Sequence, residues 1–172
     1  RLCSDVRYSL LVHDTAAEAI NDLNNQLADH LRPGRFITFV LFLLDPVRHT
    51  LSIVNAGHTP PLLRTAADRK VAKIACDDKA EIPLGIQADV SYPQSDLTWE
   101  PGDLILTYTD GVNEAENSTG ELYSNARAAE LLKGAPQDAT HVGQSLVADV
   151  RSFASGLRQA DDICLLCFGR NT

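Results

Sequence analysis

The spacing of apolar positions changes along the chain, and these changes predict both helices and strands. Near the start, apolar residues recur every three or four positions, the period of an amphipathic helix, which predicts a first helix over residues 2–12. A capping box at Thr15-x-x-Glu18 opens a second helix that ends near Pro33-Gly34. Its apolar stripe comprises Ala16, Ile20, Leu23, Leu27 and Leu31.

The period then shortens, and runs rich in β-branched and aromatic residues predict strands. These predicted strands cover residues 36–44, 51–53, 71–74, 96–99 and 104–108, and a last one covers 163–168. Residues 45–50 are interpreted as a hairpin connection. Two helices precede the last strand: one capped by Ser124 and stopped at Gly134, the other capped by Asp138 and stopped at Gly156.

The order of these elements predicts the α+β class. Two helices, a block of antiparallel strands, two more helices and a final strand do not alternate as a doubly wound parallel sheet would. A length of 172 residues suits a single domain over residues 1–172. The longest apolar run, Phe39–Leu44, is too short to span a membrane.

Charge and composition limit the classes of molecule that the chain is expected to bind. The chain has 15 Lys and Arg against 23 Asp and Glu, a net charge of −8, so it offers no general attraction to nucleic acid. It has no methionine and begins at Arg1, which predicts that it is processed or is part of a longer protein. No signal peptide is visible, and we expect a cytoplasmic protein without a membrane partner.

A C-x-x-C pair at Cys164 and Cys167 raises the question of metal or redox chemistry. The pair lies in a predicted buried strand, where side chains three positions apart point to opposite faces. Neither Cys3 nor Cys76 forms a second such pair. A structural role is therefore favoured over a zinc or redox site.

Two acidic segments carry the candidate metal chemistry. Asp110-Gly111 follows an apolar strand, and Asp161-Asp162 precedes the last one, so sheet rigidity can aim both. Carboxylates from separate strand ends are sufficient ligands for Mg²⁺ or Mn²⁺, which take oxygen donors and keep several waters. Each segment alone is also an ordinary turn or cap.

A third segment, Asn55-Ala-Gly-His-Thr-Pro-Pro61, contains a histidine. His58 is open to three interpretations: an acid, a metal ligand or a residue of a turn. Glycine and two prolines at a strand end favour the turn.

Together and in order, these segments resemble the bacterial serine/threonine phosphatases of the protein phosphatase 2C-like metal-dependent superfamily, in the branch of stage II sporulation protein E. The resemblance covers essentially the whole chain. The matching stretches are Arg35–Phe39, Leu51–Pro61, Ile82–Gly85, Pro101–Asp103, Tyr108–Ala115 and Asp161–Ile163.

The resemblance implies a fold, a reaction and partners. The fold is a sandwich of two antiparallel β-sheets flanked by helices, and the reaction is dephosphorylation of phosphoserine or phosphothreonine in a protein. It makes Asp110 and Asp161 ligands of Mn²⁺ or Mg²⁺, two ions in the intact domain, with Asp162 adjacent and Gly111 as the turn glycine beside the site. Expected substrates are phosphorylated anti-sigma-factor antagonists, with a sensory domain upstream in the parent chain.

One departure from the family pattern is severe. The family's first metal motif, an Asp-Gly turn before an Ala-rich helix, is expected just before residue 1 and supplies the bridging carboxylate; neither Asp5 nor Asp14 replaces it. We therefore expect a domain without its N-terminal strands, weakly active or inactive alone, with a sheet edge that favours a homodimer.

Two milder departures are Leu122-Tyr-Ser124 after the Gly-Glu turn and Cys164 after Asp-Asp-Ile. Two other classes stay open. One is a non-catalytic pseudophosphatase that binds a partner-switching regulator, and the other is an unrelated α+β hydrolase.

Overall fold

The computed structural model describes residues 2–32, 34–75, 82–157, 159 and 161–171. Outside the described residues lie Arg1, Pro33 and Cys76. In chain order the elements are α1 (Leu2–Val12), α2 (Ala16–His30), β1 (Phe39–Asp45), β2 (Thr50–Ala56), β3 (Leu62–Arg64), β4 (Val71–Lys73), β5 (Gln94–Thr98), β6 (Leu104–Tyr108), α3 (Asp110–Asn113), α4 (Ser124–Gly134), α5 (Ala139–Phe153) and β7 (Leu165–Gly169).

The strands form two antiparallel sheets, and helices accompany each of them, which confirms the predicted α+β class. The chain divides into two compact units. The first unit combines residues 1–58 with 75–98, and the second combines residues 59–74 with 99–172. In the part of the chain that the structure describes, no helix is both long enough and apolar enough to cross a membrane.

The first unit contains a three-stranded sheet in the order β1-β2-β5. The predicted hairpin connects β1 to β2, and Asp45 opposite Thr50 closes it. The Asp45 carboxylate accepts the backbone N–H groups of Val47 and Arg48, each at 2.9 Å. Strand β1 begins three residues later than predicted because Ile37 makes only an isolated bridge, to Leu84.

Helix α2 supplies one side of the first unit's core. The predicted capping box is present, because the Thr15 hydroxyl accepts the Glu18 N–H and the Glu18 carboxylate accepts the Thr15 N–H. The predicted stripe faces inward. The buried cluster contains Ala16, Ile20, Leu23, Val54, Ala56, Leu84, Val90 and Tyr92.

The second unit contains a four-stranded sheet in the order β4-β3-β6-β7. All five residues of β6 are buried, and α4 and α5 contribute buried residues to the same core. Residues 104–106 pair with β3 on one edge and with β7 on the other, whereas residues 107–108 pair with β7 alone. The C-terminal end of β6 is therefore held by burial and by its pairing with β7.

The cap of α4 differs from the prediction. Ser124 lies inside the helix at φ 69°, and the N-cap is Tyr123, whose side chain caps no backbone group. Tyr123 is completely buried and its hydroxyl donates to Asp149 at 2.5 Å, so packing of the ring decides where the helix begins. The predicted Asp138 cap of α5 is confirmed: its carboxylate accepts the N–H groups of Thr140 and His141.

Candidate functional site

Strand β6 delivers the first acidic segment to the surface. Thr109 follows the strand and is the N-cap of α3, and Asp110 is the first residue of this helix. The sequence did not predict this one-turn helix. Asp110 is exposed, although the residues of β6 before it are buried. Its Oδ1 accepts the N–H of Gly111 at 3.0 Å, which orients the carboxylate at the start of the helix.

Gly111 brings the second acidic segment against the first. A β-carbon built on Gly111 would lie 2.5 Å from the carbonyl oxygen of Asp162 and 3.0 Å from that of Asp161. No side chain fits in that space, so only glycine allows this approach. The two acidic segments that the sequence singles out, Asp110-Gly111 and Asp161-Asp162, therefore lie side by side.

Thr109 holds the two segments together by hydrogen bonds. Its N–H donates to the carbonyl of Cys164 at 2.9 Å, and its hydroxyl donates to the carbonyl of Asp162 at 2.9 Å. The same hydroxyl oxygen accepts the N–H of Cys164 at 2.9 Å. Sequence reasoning missed this residue; its one signal was its position between a buried strand and an Asp-Gly turn.

The carboxylates of Asp110, Asp161 and Asp162 are all on exposed residues. Asp161 Oδ1 accepts the N–H of Asp162 at 2.7 Å, as Asp110 does for its neighbour. Exposed carboxylate oxygens fit a hard divalent cation that retains several waters. Within the described ranges, however, no group of three or more Asp, Glu, His or Cys residues is placed to hold a metal ion.

A pocket of about 600 Å³ opens beside these segments. Its wall includes Gly111 and Asp161, together with residues of α5 and of the chain that follows it. The lining residues are Gly111, Glu114, Ala115, Glu116, Val150, Arg151, Ala154, Gly156, Leu157, Gln159, Asp161 and Ile163.

Residues 55–58 of the third segment have a structural role in the first unit. Asn55 is 1% exposed; its amide donates to the carbonyls of His58 and Ala75 at 3.0 and 3.1 Å, and its Oδ1 accepts the His58 N–H at 3.0 Å. Gly57 has φ 70°, and a β-carbon there would lie 2.5 Å from Pro83. The favoured interpretation, a turn fixed by its own residues, agrees with these contacts.

The C-x-x-C pair is divided between two environments. Cys167 lies in β7 and packs against the core of the second unit, whereas Cys164 is exposed and precedes the strand, which begins two residues later than predicted. The prediction of a buried strand is wrong: β7 is the edge strand of its sheet, and its residues are half-buried or exposed. Burial raises the pKa of the Cys167 thiol to about 11, which suppresses its thiolate. The structural interpretation of this pair agrees with these positions.

Known proteins similar to this chain include two curated bacterial proteins and a solved bacterial phosphatase domain. Protein IcfG of Synechocystis sp. is 25% identical over 154 residues, which are 89% of this chain and 24% of IcfG. Phosphoserine phosphatase RsbU of Bacillus subtilis is 26% identical over 106 residues, which are 62% of this chain and 31% of RsbU. The phosphatase domain of the cell fate determinant SpoIIE from Bacillus subtilis, from a Mn-presoaked sample, has a TM-score of 0.71 at 19% identity and covers 99% of this chain and 72% of that one.

The chain therefore has the fold of a bacterial phosphatase domain. It matches the family model described as Stage II sporulation protein E (SpoIIE) over residues 2–171. The chain belongs to the stage II sporulation protein E family. It spans about a quarter to a third of the length of the curated relatives it matches.

Proposed function

We propose that this chain is a metal-dependent phosphatase domain that acts on phosphoserine or phosphothreonine in a protein. The observation that carries the proposal is the approach of Asp161 and Asp162 to Gly111, beside Asp110. It assembles carboxylates from two distant segments at one surface of the second unit. Two relatives support the same proposal. RsbU is named a phosphoserine phosphatase, and the SpoIIE phosphatase domain was soaked with manganese.

In this proposal, Asp110 and Asp161 hold a divalent cation, Mn²⁺ or Mg²⁺, and Asp162 is an adjacent oxygen donor. Such a cation supplies Lewis-acid activation of water and neutralisation of phosphate charge. Thr109 keeps the two acidic segments in register, and Gly111 leaves the space that their contact needs. Burial of Thr107 and Tyr108 and their pairing with β7 would limit the movement of Asp110, so that a cation would meet a preorganised carboxylate.

The substrate we propose is a phosphorylated protein of the anti-sigma-factor antagonist type, in a bacterial signalling pathway in the cytoplasm. The family resemblance supports this choice. The net charge of −8 agrees with a protein substrate and gives no support to nucleic acid. The upstream sensory domain and the homodimer stay predictions.

The proposal is tested by binding and turnover in parallel. Mn²⁺ binding is followed by electron paramagnetic resonance, and release of phosphate from a phosphoserine protein is measured with Mn²⁺ present. Asp110→Asn and Asp161→Asn should each weaken Mn²⁺ binding at least tenfold, whereas Asp29→Asn, an exposed carboxylate on α2, should leave it unchanged. Equal Mn²⁺ binding by all four proteins would contradict the site.

The alternative is a non-catalytic module that binds a regulator. It is favoured by the observation that the described residues contain no group of three metal-binding side chains. The same measurements separate the two functions. Binding of the phosphoprotein by a chain whose Mn²⁺ binding does not depend on Asp110 and Asp161 would favour the module.

A further inference from the structure

Apart from Gly111 and Asp161, the residues that line the pocket have no role in the proposed phosphate chemistry. The apolar part of the lining consists of Ala115, Val150, Ala154, Leu157 and Ile163. Leu157 is 49% exposed, so part of this apolar surface faces water. A concave apolar surface of this kind gains free energy when it covers an apolar side chain of a ligand.

The charged part of the lining is mainly acidic. Glu114, Glu116 and Asp161 contribute three carboxylates against the single guanidinium of Arg151. All four residues are exposed. This rim repels a free anion and attracts a segment that carries positive charge.

We propose that this pocket binds the substrate segment that flanks the phosphorylated residue, and that it selects an apolar side chain with a basic neighbour. The inference rests on the proposed function, because the pocket shares Gly111 and Asp161 with the proposed metal site. A phosphate drawn to a cation that Asp110 and Asp161 would hold leaves the adjoining residues of its own chain within reach of the pocket. The cation site would recognise the phosphate, and the pocket would recognise the flanking sequence.

Two features of the lining assign roles to particular residues. Ala154 is the C-cap of α5, and its small side chain leaves room that a larger one would occupy. Glu116 lies on the acidic rim and makes no ion pair among the described residues. Ala154 therefore controls the size of the bound side chain, and Glu116 contributes to the choice of a basic neighbour.

The test uses the dephosphorylated product peptide, so that binding is measured without turnover and without metal. A set of synthetic serine peptides places one leucine, followed by lysine, at each offset from the serine. Each peptide is titrated into the ¹⁵N-labelled chain in the presence of EDTA. We expect the amides of Ala115, Ala154 and Leu157 to shift for the peptide with the leucine at one offset, and replacement of that leucine by alanine to weaken binding about tenfold.

Variants assign the effect to the pocket. Ala154→Trp should abolish the preference for leucine, whereas Ala148→Trp, an exposed position on the same helix, should keep it. Glu116→Lys should remove the preference for lysine over glutamate in the peptide, and Glu100→Lys should not. Heteronuclear spectra of each variant report directly whether it is folded.

The proposal is overturned if no peptide shifts the pocket amides, if leucine and alanine peptides bind equally, or if Ala154→Trp retains the preference. A chain that binds the leucine peptide in this way but whose Mn²⁺ binding is unchanged by Asp110→Asn and Asp161→Asn would overturn the proposed metal-dependent function and leave the pocket assignment standing.

Discussion

Gly111 lies so close to Asp162 that a β-carbon on the glycine would stand 2.5 Å from the carbonyl oxygen of Asp162. The contact joins the end of β6 to the segment that leads into β7. It explains in physical terms why an Asp-Gly pair stands at the end of this strand. In the proposed site the aspartate would supply an oxygen ligand, and the missing side chain of the glycine admits the second acidic segment.

Replacement of Gly111 by alanine should separate the two segments. The added β-carbon must displace the backbone of Asp161 and Asp162, and crowding of this kind costs about 1–3 kcal/mol. We expect Gly111→Ala to lower the free energy of unfolding by that amount and to weaken Mn²⁺ binding at least tenfold. Urea unfolding and electron paramagnetic resonance measure the two effects.

Gly134→Ala is the matched control. Gly134 is the last residue of α4, and a β-carbon there meets nothing within 4 Å. Because alanine is the better helix former, this change should raise the stability by about 0.5–1 kcal/mol and leave Mn²⁺ binding as it is. Equal behaviour of the two variants would show that the contact between Gly111 and Asp162 has no consequence.

Thr109 should be a positioning residue that serine can replace and valine cannot. Valine has a similar shape but loses the hydroxyl that bonds to the carbonyl of Asp162 and the N–H of Cys164. We expect Thr109→Val to cost about 0.5–1.5 kcal/mol of stability, because these hydrogen bonds are exposed, and to weaken Mn²⁺ binding, and Thr109→Ser to restore most of both. Wild-type Mn²⁺ affinity in Thr109→Val would count against the role.

Asn55 should contribute strongly to the stability of the first unit. Its side chain is buried and makes three hydrogen bonds, to His58 and Ala75, so alanine leaves backbone groups without partners. We expect Asn55→Ala to lower the free energy of unfolding by about 1–3 kcal/mol. Asn171→Ala, at an exposed position, should change it little, and a similar loss in both variants would contradict the assignment.

Stability should fall with pH in the alkaline range because of Cys167. Burial raises the pKa of its thiol to about 11 in the folded chain, so the unfolded chain loses this proton first as the pH rises. The resulting stability is complete below about pH 9 and is lost between about pH 9 and pH 11, up to about 2–3 kcal/mol. The slope of unfolding free energy against pH measures it.

Cys167→Ala should have a shallower slope over that pH range than the wild type, and Cys164→Ala, which removes an exposed thiol, should keep the wild-type slope. Identical slopes for the wild type and Cys167→Ala would show that this thiol does not titrate as its burial requires.

Local sequence patterns predicted much of the framework. The capping box at Thr15 and the cap at Asp138 depend on neighbours within three residues, and both are present in the structure. Ser124 failed as a cap because a distant contact, between Tyr123 and Asp149, outweighs the local preference. Local helix-capping preference predicts the start of a helix poorly where the packing of a buried aromatic ring fixes the backbone.

The candidate site divides in the same way. The position of Asp110 followed from the apolar strand before it, and the pairing of its segment with Asp161-Asp162 was implied by the family resemblance. The bonds of Thr109 and the contact of Gly111 depend on residues about fifty positions away, and no local pattern encodes them. The metal ligands themselves stay a prediction.

The hydrogen bond from Cys164 to Thr109 joins residues 55 positions apart. During translation, the end of β6 is therefore synthesised well before the segment that pairs with it. At about 5–20 residues per second, synthesis exposes Asp110 roughly 3 to 11 s before the partner segment emerges. Through that interval the end of β6 has no β7 beside it. Helices α4 and α5 are synthesised within this interval, and the two acidic segments can meet only when translation has passed Cys164.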